Sequence, residues 1–228
     1  MTVKGVTDIL KNAAPLSWAE DFDNVGLLVG DENREVSGVL VALDCLENVI
    51  EEAIQKHCNL IVSFHPIIFS GLKNIKPSNY VNRVVIKAIE HKIAIYSMHT
   101  ALDNAAEGVS YEMGQKLGLS QMIPLLPKPE LRPLDPNGLL GMGRIGTLKQ
   151  AVSEKEFMNT LKETFGTPHL KHSSFSSNQI NKVAVLGGSG AFGIEAAIIA
   201  GADAYVTADL KYHDYFKAEN KILLVDIG

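Results

Sequence analysis

The chain has 228 residues, of which 46% are apolar, and a formal net charge of −5. This length and composition predict a globular protein with a buried core, built as one large domain or two smaller ones. The acidic balance, without a basic stripe, does not favour a nucleic-acid binder, and no window approaches the roughly 18 apolar residues of a membrane-spanning helix. The amino-terminal segment lacks the apolar core of a signal peptide, so we expect a cytoplasmic protein whose cysteines are reduced.

Strand-like and helix-like segments alternate through the first half of the chain. A short helix is predicted over residues 7–14, ended by Pro15. Three βα units follow, each an apolar run rich in branched residues and then a segment with helical apolar spacing. Their predicted strands and helices are 38–44 with 46–57, 60–64 with 80–91, and 93–98 with 109–117. Continuous apolar strands flanked by helices indicate a parallel sheet covered on both faces.

Five of the nine prolines lie between Pro124 and Pro136, which makes this segment too stiff and too poor in donors for a helix or a central strand. We therefore predict an N-terminal α/β domain over 1–123, a proline-rich connector over 124–140 and a C-terminal α/β domain over 141–228. In the second domain we expect a strand at 141–148, a helix that starts at the capping box of Ser153 and Glu156, and strands in KVAVL, DAYVT and KILLVD. The predicted fold class is α/β, with two α/β halves whose mainly parallel sheets are flanked by helices and a metal pocket between them at the strand carboxyl ends.

Five predicted strands end on an acid or a histidine. These residues are Asp44, His65, His99, Asp209 and Asp226. Ligands of open α/β sheets bind beyond the carboxyl ends of the strands, so these side chains could converge on one pocket. Imidazole and carboxylate groups suit zinc, iron or manganese, and we therefore predict one or two divalent ions there.

Three residues are the metal-ligand candidates. His65 follows an apolar strand and precedes Pro66, which favours a turn that points the imidazole out of the sheet end. His99 and Asp103, four residues apart, face one point if the loop between them makes a helical turn. The alternative is that His99 caps the strand end while Asp103 hydrogen-bonds the loop that follows.

Other polar positions have structural alternatives that carry at least equal weight. For Asp44 we favour the N-cap of the next helix over a carboxylate that supports a metal ligand. Asp209 and His213 are candidate catalytic residues that could move a proton, and the alternative is a solvated helix start. Residues 188–193 satisfy GxGxxG. Here we favour a tight structural turn, then an anion held by backbone amides, and last a nicotinamide cofactor.

Six segments of the chain are similar to a known family. They are AEDFDNVGLLVGD (19–31), NLIVSFHPIIFSGLKNI (59–75), AIYSMHTALDNAAEGV (94–109), GMGRIG (141–146), VAVLGGSG (183–190) and VTADLKYHD (206–214). Together they resemble the GTP cyclohydrolase I type 2 homologue family, also called the NGG-one-interacting factor three family, from about Val6 to Gly228. The resemblance implies two α/β halves around a shared pocket with a pair of divalent ions, and a homo-oligomer in the form of a ring-like hexamer built from dimers.

Residue by residue, the resemblance implies that His65 and Asp103 bind metal and that His99 lines or joins the site. Phe64 stands where the family often has a second histidine. The family's last motif continues with a histidine and, four residues later, a glutamate that both bind metal, whereas this sequence stops at Gly228. We therefore expect the C-terminal domain to continue beyond that residue in the native protein.

Two functions follow as expectations. The first is a metal-dependent hydrolase that acts on a nucleotide-like or phosphorylated small molecule. GTP cyclohydrolase activity itself is not predicted, because no guanine-reading acid stands in a defined position. The second is a non-enzymatic metal-binding scaffold or a regulatory protein that docks a protein partner, and a nicotinamide oxidoreductase is a weaker third.

Overall fold

The computed structural model describes residues 1–131, 134–176 and 178–228. The chain forms two compact units, Met1–Leu102 and Asp103–Gly228. This division comes before the predicted connector, whose described residues all belong to the second unit, while its residues 132–133 lie outside the described residues. Within the described ranges, no helix is long and apolar enough to cross a membrane.

The first unit is built on one sheet. Its elements are α1 (Val3–Ala13), β1 (Gly26–Val29), β2 (Val39–Ala42), α2 (Glu47–Gln55), β3 (Leu60–Ser63), α3 (Tyr80–Glu90) and β4 (Ala94–Ser97). A further short helix, α4 (His99–Asp103), begins two residues after β4. The strand order is β1-β4-β3-β2, with β2, β3 and β4 parallel and β1 antiparallel to β4. The predicted parallel arrangement of the three strands is therefore confirmed. The helix predicted at 109–117 to follow the third strand belongs to the second unit.

Each face of this sheet carries its own apolar core. On one face Ile61 and Ile95 pack with Ile50 of α2 and Val84 of α3, and on the other Leu60 and Tyr96 pack with residues that include those of α1. The edge strand β2 is the exception, because its Val41 is 77% exposed.

The second unit is built on a larger, mixed sheet. Its elements are α5 (Val109–Lys116), β5 (Ser120–Pro127), β6 (Gly141–Ser153), α6 (Glu154–Phe165), β7 (Lys171–His172), β8 (Gln179–Ser189), α7 (Ile194–Ile199), β9 (Ala204–Ala208) and β10 (Leu223–Asp226). The strand order is β5-β6-β8-β9-β10-β7. Only β8, β9 and β10 run parallel, while β5, β6 and β7 pair antiparallel. The α/β class is confirmed, and the mainly parallel character belongs to the first sheet.

Local sequence explains several boundaries in the second unit. The capping box is present as predicted, since Ser153 accepts from the Glu156 N–H while the Glu156 carboxylate accepts from the Ser153 N–H. Prolines 124 and 127 lie in β5, an edge strand, where a missing N–H can face away from the sheet. The segment between β9 and β10 forms a 3-10 helix at Tyr212–Ala218.

The GxGxxG segment has a packing explanation. The Tyr205 hydroxyl donates a hydrogen bond of 2.8 Å to the Gly190 carbonyl. A Cβ added to Gly193 would lie 2.4 Å from that hydroxyl oxygen, and one added to Gly190 would lie 2.1 Å from Oγ1 of Thr207. Glycine is therefore required here for close approach of the turn to β9, which agrees with the favoured structural interpretation.

Candidate functional site

Two histidines meet at the carboxyl end of the first sheet. His65 follows β3 and His99 follows β4, and these parallel neighbours end in register at Ser63 and Ser97. The His99 N–H donates to the Phe64 carbonyl at 2.9 Å, which ties the two strand ends together. As a result the imidazole centroids of His65 and His99 are 5.4 Å apart.

Asp44 holds the His65 ring. Its Oδ1 accepts a hydrogen bond of 2.8 Å from His65 Nδ1, and about half of each side chain is exposed. Helix α2 has Leu46 at its N-cap position, without a side-chain cap. The N-cap role favoured for Asp44 is therefore wrong. Its strand ends beside β3, so the carboxylate reaches the histidine instead of the helix.

Asp23 holds the His99 ring, and the sequence did not point to it. Both of its carboxylate oxygens lie 2.9 Å from His99 Nδ1, and it also accepts from the backbone N–H and the hydroxyl of Thr100. Burial alone would raise the pKa of the Asp23 carboxyl, but hydrogen bonds from Thr100, His99 and the Asn24 N–H outweigh it and lower the pKa. The group is therefore a carboxylate at neutral pH.

The position of Asp23 follows from the pairing of β1. This strand runs antiparallel to β4, with Gly26 opposite Ser97, so residues just before β1 lie beside residues just after β4. The acid-rich segment ahead of Gly26 was the available signal. That segment could not be placed beside His99 without β1, a strand of four residues that was not predicted.

Each carboxylate selects the tautomer of its neutral histidine ring. A carboxylate only accepts, so the neutral ring of His65 or His99 carries its proton on Nδ1 and presents a lone pair on Nε2. Within the described residues no side chain hydrogen-bonds to either Nε2. Carboxylates that orient histidines in this way are typical of metal sites. His99 also adopts a φ of +23°, uncommon for a residue other than glycine and frequent at functional sites.

The third predicted ligand is Asp103. In the described part of the chain, no group of three or more His, Cys, Asp or Glu side chains is placed to hold a metal ion. Asp103 ends α4, four residues after His99, and is the first residue of the second unit. Its role as a ligand stays a prediction, as do the metal ions themselves.

Aromatic rings surround the two histidines. Phe64 packs edge-on against both, at centroid distances of 5.0 Å from His65 and 5.5 Å from His99. Phe69 lies 6.4 Å from His99 and 6.4 Å from Phe22. Phe22 and Phe69 are 66% and 52% exposed, so the imidazole pair opens onto an apolar, ring-lined surface.

The polar strand ends of the second unit are arranged differently. Asp209 is exposed with a φ of +57°, and His213 is exposed and packs edge-on against Tyr212 and Phe216. Among the described residues, Asp209 and His213 make no hydrogen bond with each other, so their catalytic role also stays a prediction. Asp226 is 3% exposed, and accepts from the backbone N–H groups of Leu210 and Gly228 at 2.9 Å each.

Arg144, in the GMGRIG segment, is a buried cation with backbone partners. Its guanidinium donates at 2.7–3.1 Å to the carbonyls of Gly141, Gly143, Leu139, Ala105 and Ala106. Burial lowers the pKa of Arg144 to about 10, although the nearby Asp135 opposes that shift. The residue therefore joins β6 to the loop that follows α4.

The family relationship extends over the whole chain. Residues 1–228 match the family model Duf34/NIF3 (NGG1p interacting factor 3). The chain belongs to the Duf34/NIF3 family. The resemblance predicted from the six segments is confirmed.

Relatives and solved structures agree with this assignment. The chain is 36% identical over 231 residues to a "GTP cyclohydrolase 1 type 2 homolog" of Clostridium acetobutylicum, an alignment that covers 100% of the chain and 84% of that relative. The crystal structure of Staphylococcus aureus protein SA1388 superposes with a TM-score of 0.90 at 30% identity, covering 100% of the chain and 86% of that protein. A Bacillus cereus protein related to NIF3 gives a TM-score of 0.91 at 25% identity over 100% of the chain and 88% of its own length.

Proposed function

We propose that this family member binds one or two divalent metal ions, zinc, iron or manganese, and hydrolyses a nucleotide-like or phosphorylated small molecule. The observation that carries the proposal is the pair of imidazoles, His65 and His99, each held at Nδ1 by a carboxylate. Two Nε2 lone pairs at adjacent strand ends, to which no described side chain hydrogen-bonds, fit a borderline cation well, because imidazole is its common protein ligand.

The residues around the pair have distinct tasks in this proposal. His65 and His99 would hold the ion, while Asp44 and Asp23 keep their rings oriented and raise the basicity of Nε2. A bound divalent ion supplies Lewis acidity and lowers the pKa of a coordinated water toward about 7. Asp103 would be a further ligand by family resemblance, and Asp209 and His213 would move protons.

The aromatic rings favour a substrate with a planar group. Phe22 and Phe69 are largely exposed, and Phe69 lies 6.4 Å from both His99 and Phe22. Planar heterocycles stack on such rings, whereas the charged part of the molecule would face the cation. This combination supports a nucleotide-like substrate over a simple sugar phosphate. The names of the curated relatives point the same way for those proteins.

The test is metal-dependent turnover of a panel of nucleotides and phosphoesters with Mn²⁺, Zn²⁺ or Fe²⁺. His65→Ala should abolish turnover, and His91→Ala, an exposed histidine after α3, should leave it unchanged. Turnover that survives His65→Ala would contradict the proposed site. Metal binding without any turnover would instead favour the second candidate.

The second candidate is a metal-binding scaffold or a regulatory protein that docks a protein partner. The exposed pair Phe22 and Phe69 favours it, since rings of this kind also anchor protein interfaces. Partner capture that persists in His65→Ala but fails in Phe22→Ala would distinguish this candidate from the hydrolase. The ring-like hexamer implied by the family resemblance stays a prediction, to be checked by sedimentation.

A further inference from the structure

A groove of about 300 Å³ is formed entirely by residues of the second unit. One wall is a single face of α6, whose lining residues follow the i, i+3, i+4, i+7 helical spacing. The other wall comes from β7 and its neighbours. The lining residues are Lys155, Met158, Asn159, Lys162, Leu170, His172 and Phe175.

A stacked pair of rings forms one end of this groove. The rings of His172 and Phe175 lie 4.5 Å apart between centroids and only 16° from parallel. His172 Nδ1 donates to the Ser173 carbonyl at 2.6 Å, which fixes the orientation of its ring. Phe175 is 39% exposed, so part of its surface is available to continue the stack with a ligand ring.

The charge of the groove is positive and locally uncompensated. Among the described residues, Lys155 and Lys162 form no ion pair, and no acid lines the groove. Two acids of the first turn of α6 are engaged elsewhere. Glu154 accepts from the N–H and hydroxyl of Ser176, and Glu156 accepts from those of Ser153. The remaining acid of this helix, Glu163, is not a lining residue.

We propose that this groove binds a small anion that carries a planar ring, with a mononucleotide as the chemical class. The ring stacks on Phe175, the anionic group lies between Lys155 and Lys162, and the Asn159 amide hydrogen-bonds polar atoms between them. Seven residues of helix span about 10 Å, a distance that two flexible lysine side chains can close onto one phosphate. A cavity of about 300 Å³ is at the small end of ligand sites and suits one nucleotide.

The experiment is isothermal titration of adenosine monophosphate into the full chain after EDTA treatment, so that no metal site contributes. Adenosine and inorganic phosphate are titrated as the two halves of the probe, and benzoate as an aromatic anion that is not a nucleotide. We expect the nucleotide to bind about tenfold more tightly than either half. Phe175→Ala should weaken it about tenfold or more, as for loss of a base stack, and Lys162→Gln by a smaller factor that shrinks as salt rises.

Matched controls use exposed residues of the same unit that do not line the groove. Phe192→Ala and Lys149→Gln should leave the affinity unchanged, and circular dichroism checks that each variant is folded. If benzoate binds as tightly as the nucleotide, the groove binds ring-bearing anions in general, and the assignment of a nucleotide as the ligand class is wrong. No binding of any probe at millimolar concentration, or equal weakening by the control variants, would overturn the proposal. If Phe175→Ala fails to fold, Lys162→Gln and Lys155→Gln decide the question.

Discussion

The carboxyl ends of the parallel strands in the two units carry similar residues that do different work. In the first unit, His65 and His99 each have Nδ1 held by a carboxylate, and among the residues that the structure describes no side chain hydrogen-bonds to Nε2. In the second unit, the carboxylate of Asp226 is buried, and each of its oxygens accepts a hydrogen bond from a backbone N–H, of Leu210 or of Gly228. In the first arrangement the Nε2 lone pairs can bind a ligand that is not part of the chain. In the second the carboxylate oxygens stabilise the fold.

This difference shows that a polar residue at a strand end is not sufficient to indicate chemistry. What distinguishes the two cases is whether the protein itself satisfies the group. For Asp226, hydrogen bonds to both oxygens are sufficient to explain a buried carboxylate at that position. The Nε2 atoms of His65 and His99 do require an explanation, since their rings are oriented by partners that would be unnecessary for a solvated histidine.

The largest expected effect is on metal affinity, and it compares one histidine of each unit. His99→Ala should weaken binding of Zn²⁺ or Mn²⁺ by about 1,000-fold, beyond the roughly 10- to 100-fold that loss of a supporting hydrogen bond costs. His213→Ala, the matched variant in the second unit, should leave the affinity unchanged. Competition titration with a chromogenic chelator measures both. Equal loss in the two variants would contradict the assignment of the ligand site to the first unit.

The next effect is on stability, and it concerns the GMGRIG segment. Arg144→Met should lower the free energy of unfolding by about 3 kcal/mol, because it leaves several buried carbonyls without a donor. Arg144→Lys should be intermediate, since an ammonium cannot reproduce the planar fork. Urea unfolding measures both. A value within about 0.5 kcal/mol of the parent for Arg144→Met would mean that the buried guanidinium does not stabilise the loop after α4.

The sequence predicted a feature well where the pattern lay within a single strand or helix. Apolar strands followed by a histidine identified His65 and His99, and the spacing of Ser153 and Glu156 identified the start of α6. The same local reasoning gave Asp44 the wrong role, because N-cap propensity says nothing about a ring on the neighbouring strand. The last strand of each half, β4 and β10, was predicted because a continuous apolar run is typical of a buried parallel strand.

Features that depend on distant pairing were not predictable. Asp23 contacts a histidine 76 residues away, through a strand too short to show a period. The second half of β5, from Pro124 to Pro127, was assigned to the connector because of its two prolines, yet its edge position tolerates them. The mixed pairing of the second sheet likewise depends on which strands meet, and strand propensity does not determine that.

A smaller effect separates the two supporting carboxylates. Asp23→Asn and Asp44→Asn should each weaken metal binding about 10- to 100-fold, because each loosens one ring. Asp23→Asn should in addition lower the free energy of unfolding by about 1–2 kcal/mol, since its carboxylate is buried and accepts from Thr100. Asp44 is half exposed, so its variant should stay within about 0.5 kcal/mol of the parent. Metal titration and urea unfolding of the same samples test this, and equal stability loss in both variants would contradict it.

The smallest effect concerns Asp226, the buried carboxylate of the second unit. Asp226→Asn should lower the free energy of unfolding by about 1 kcal/mol, because the amide keeps an acceptor for one N–H and loses the other. Metal affinity should not change, which is the contrast with Asp23→Asn. A loss of metal in Asp226→Asn would show that this carboxylate acts outside the fold of its own unit.

Alkaline pH provides an independent check on the same residue. Burial, followed by the charge of Asp226 and the hydrogen bond to it, raises the pKa of Tyr215 to about 12 from an ordinary value of 10. A group whose pKa is raised in the folded state contributes stability that is complete below its unfolded pKa and is lost as pH rises toward the folded value. The parent should therefore lose stability between about pH 10 and pH 12. In Asp226→Asn the Tyr215 pKa should fall but remain above 10, because burial persists. The free energy of unfolding of this variant should therefore decrease less between those two pH values than that of the parent. Unfolding free energies at the two ends of the interval measure the difference, and an identical loss in both proteins would mean that the Asp226 charge does not reach Tyr215.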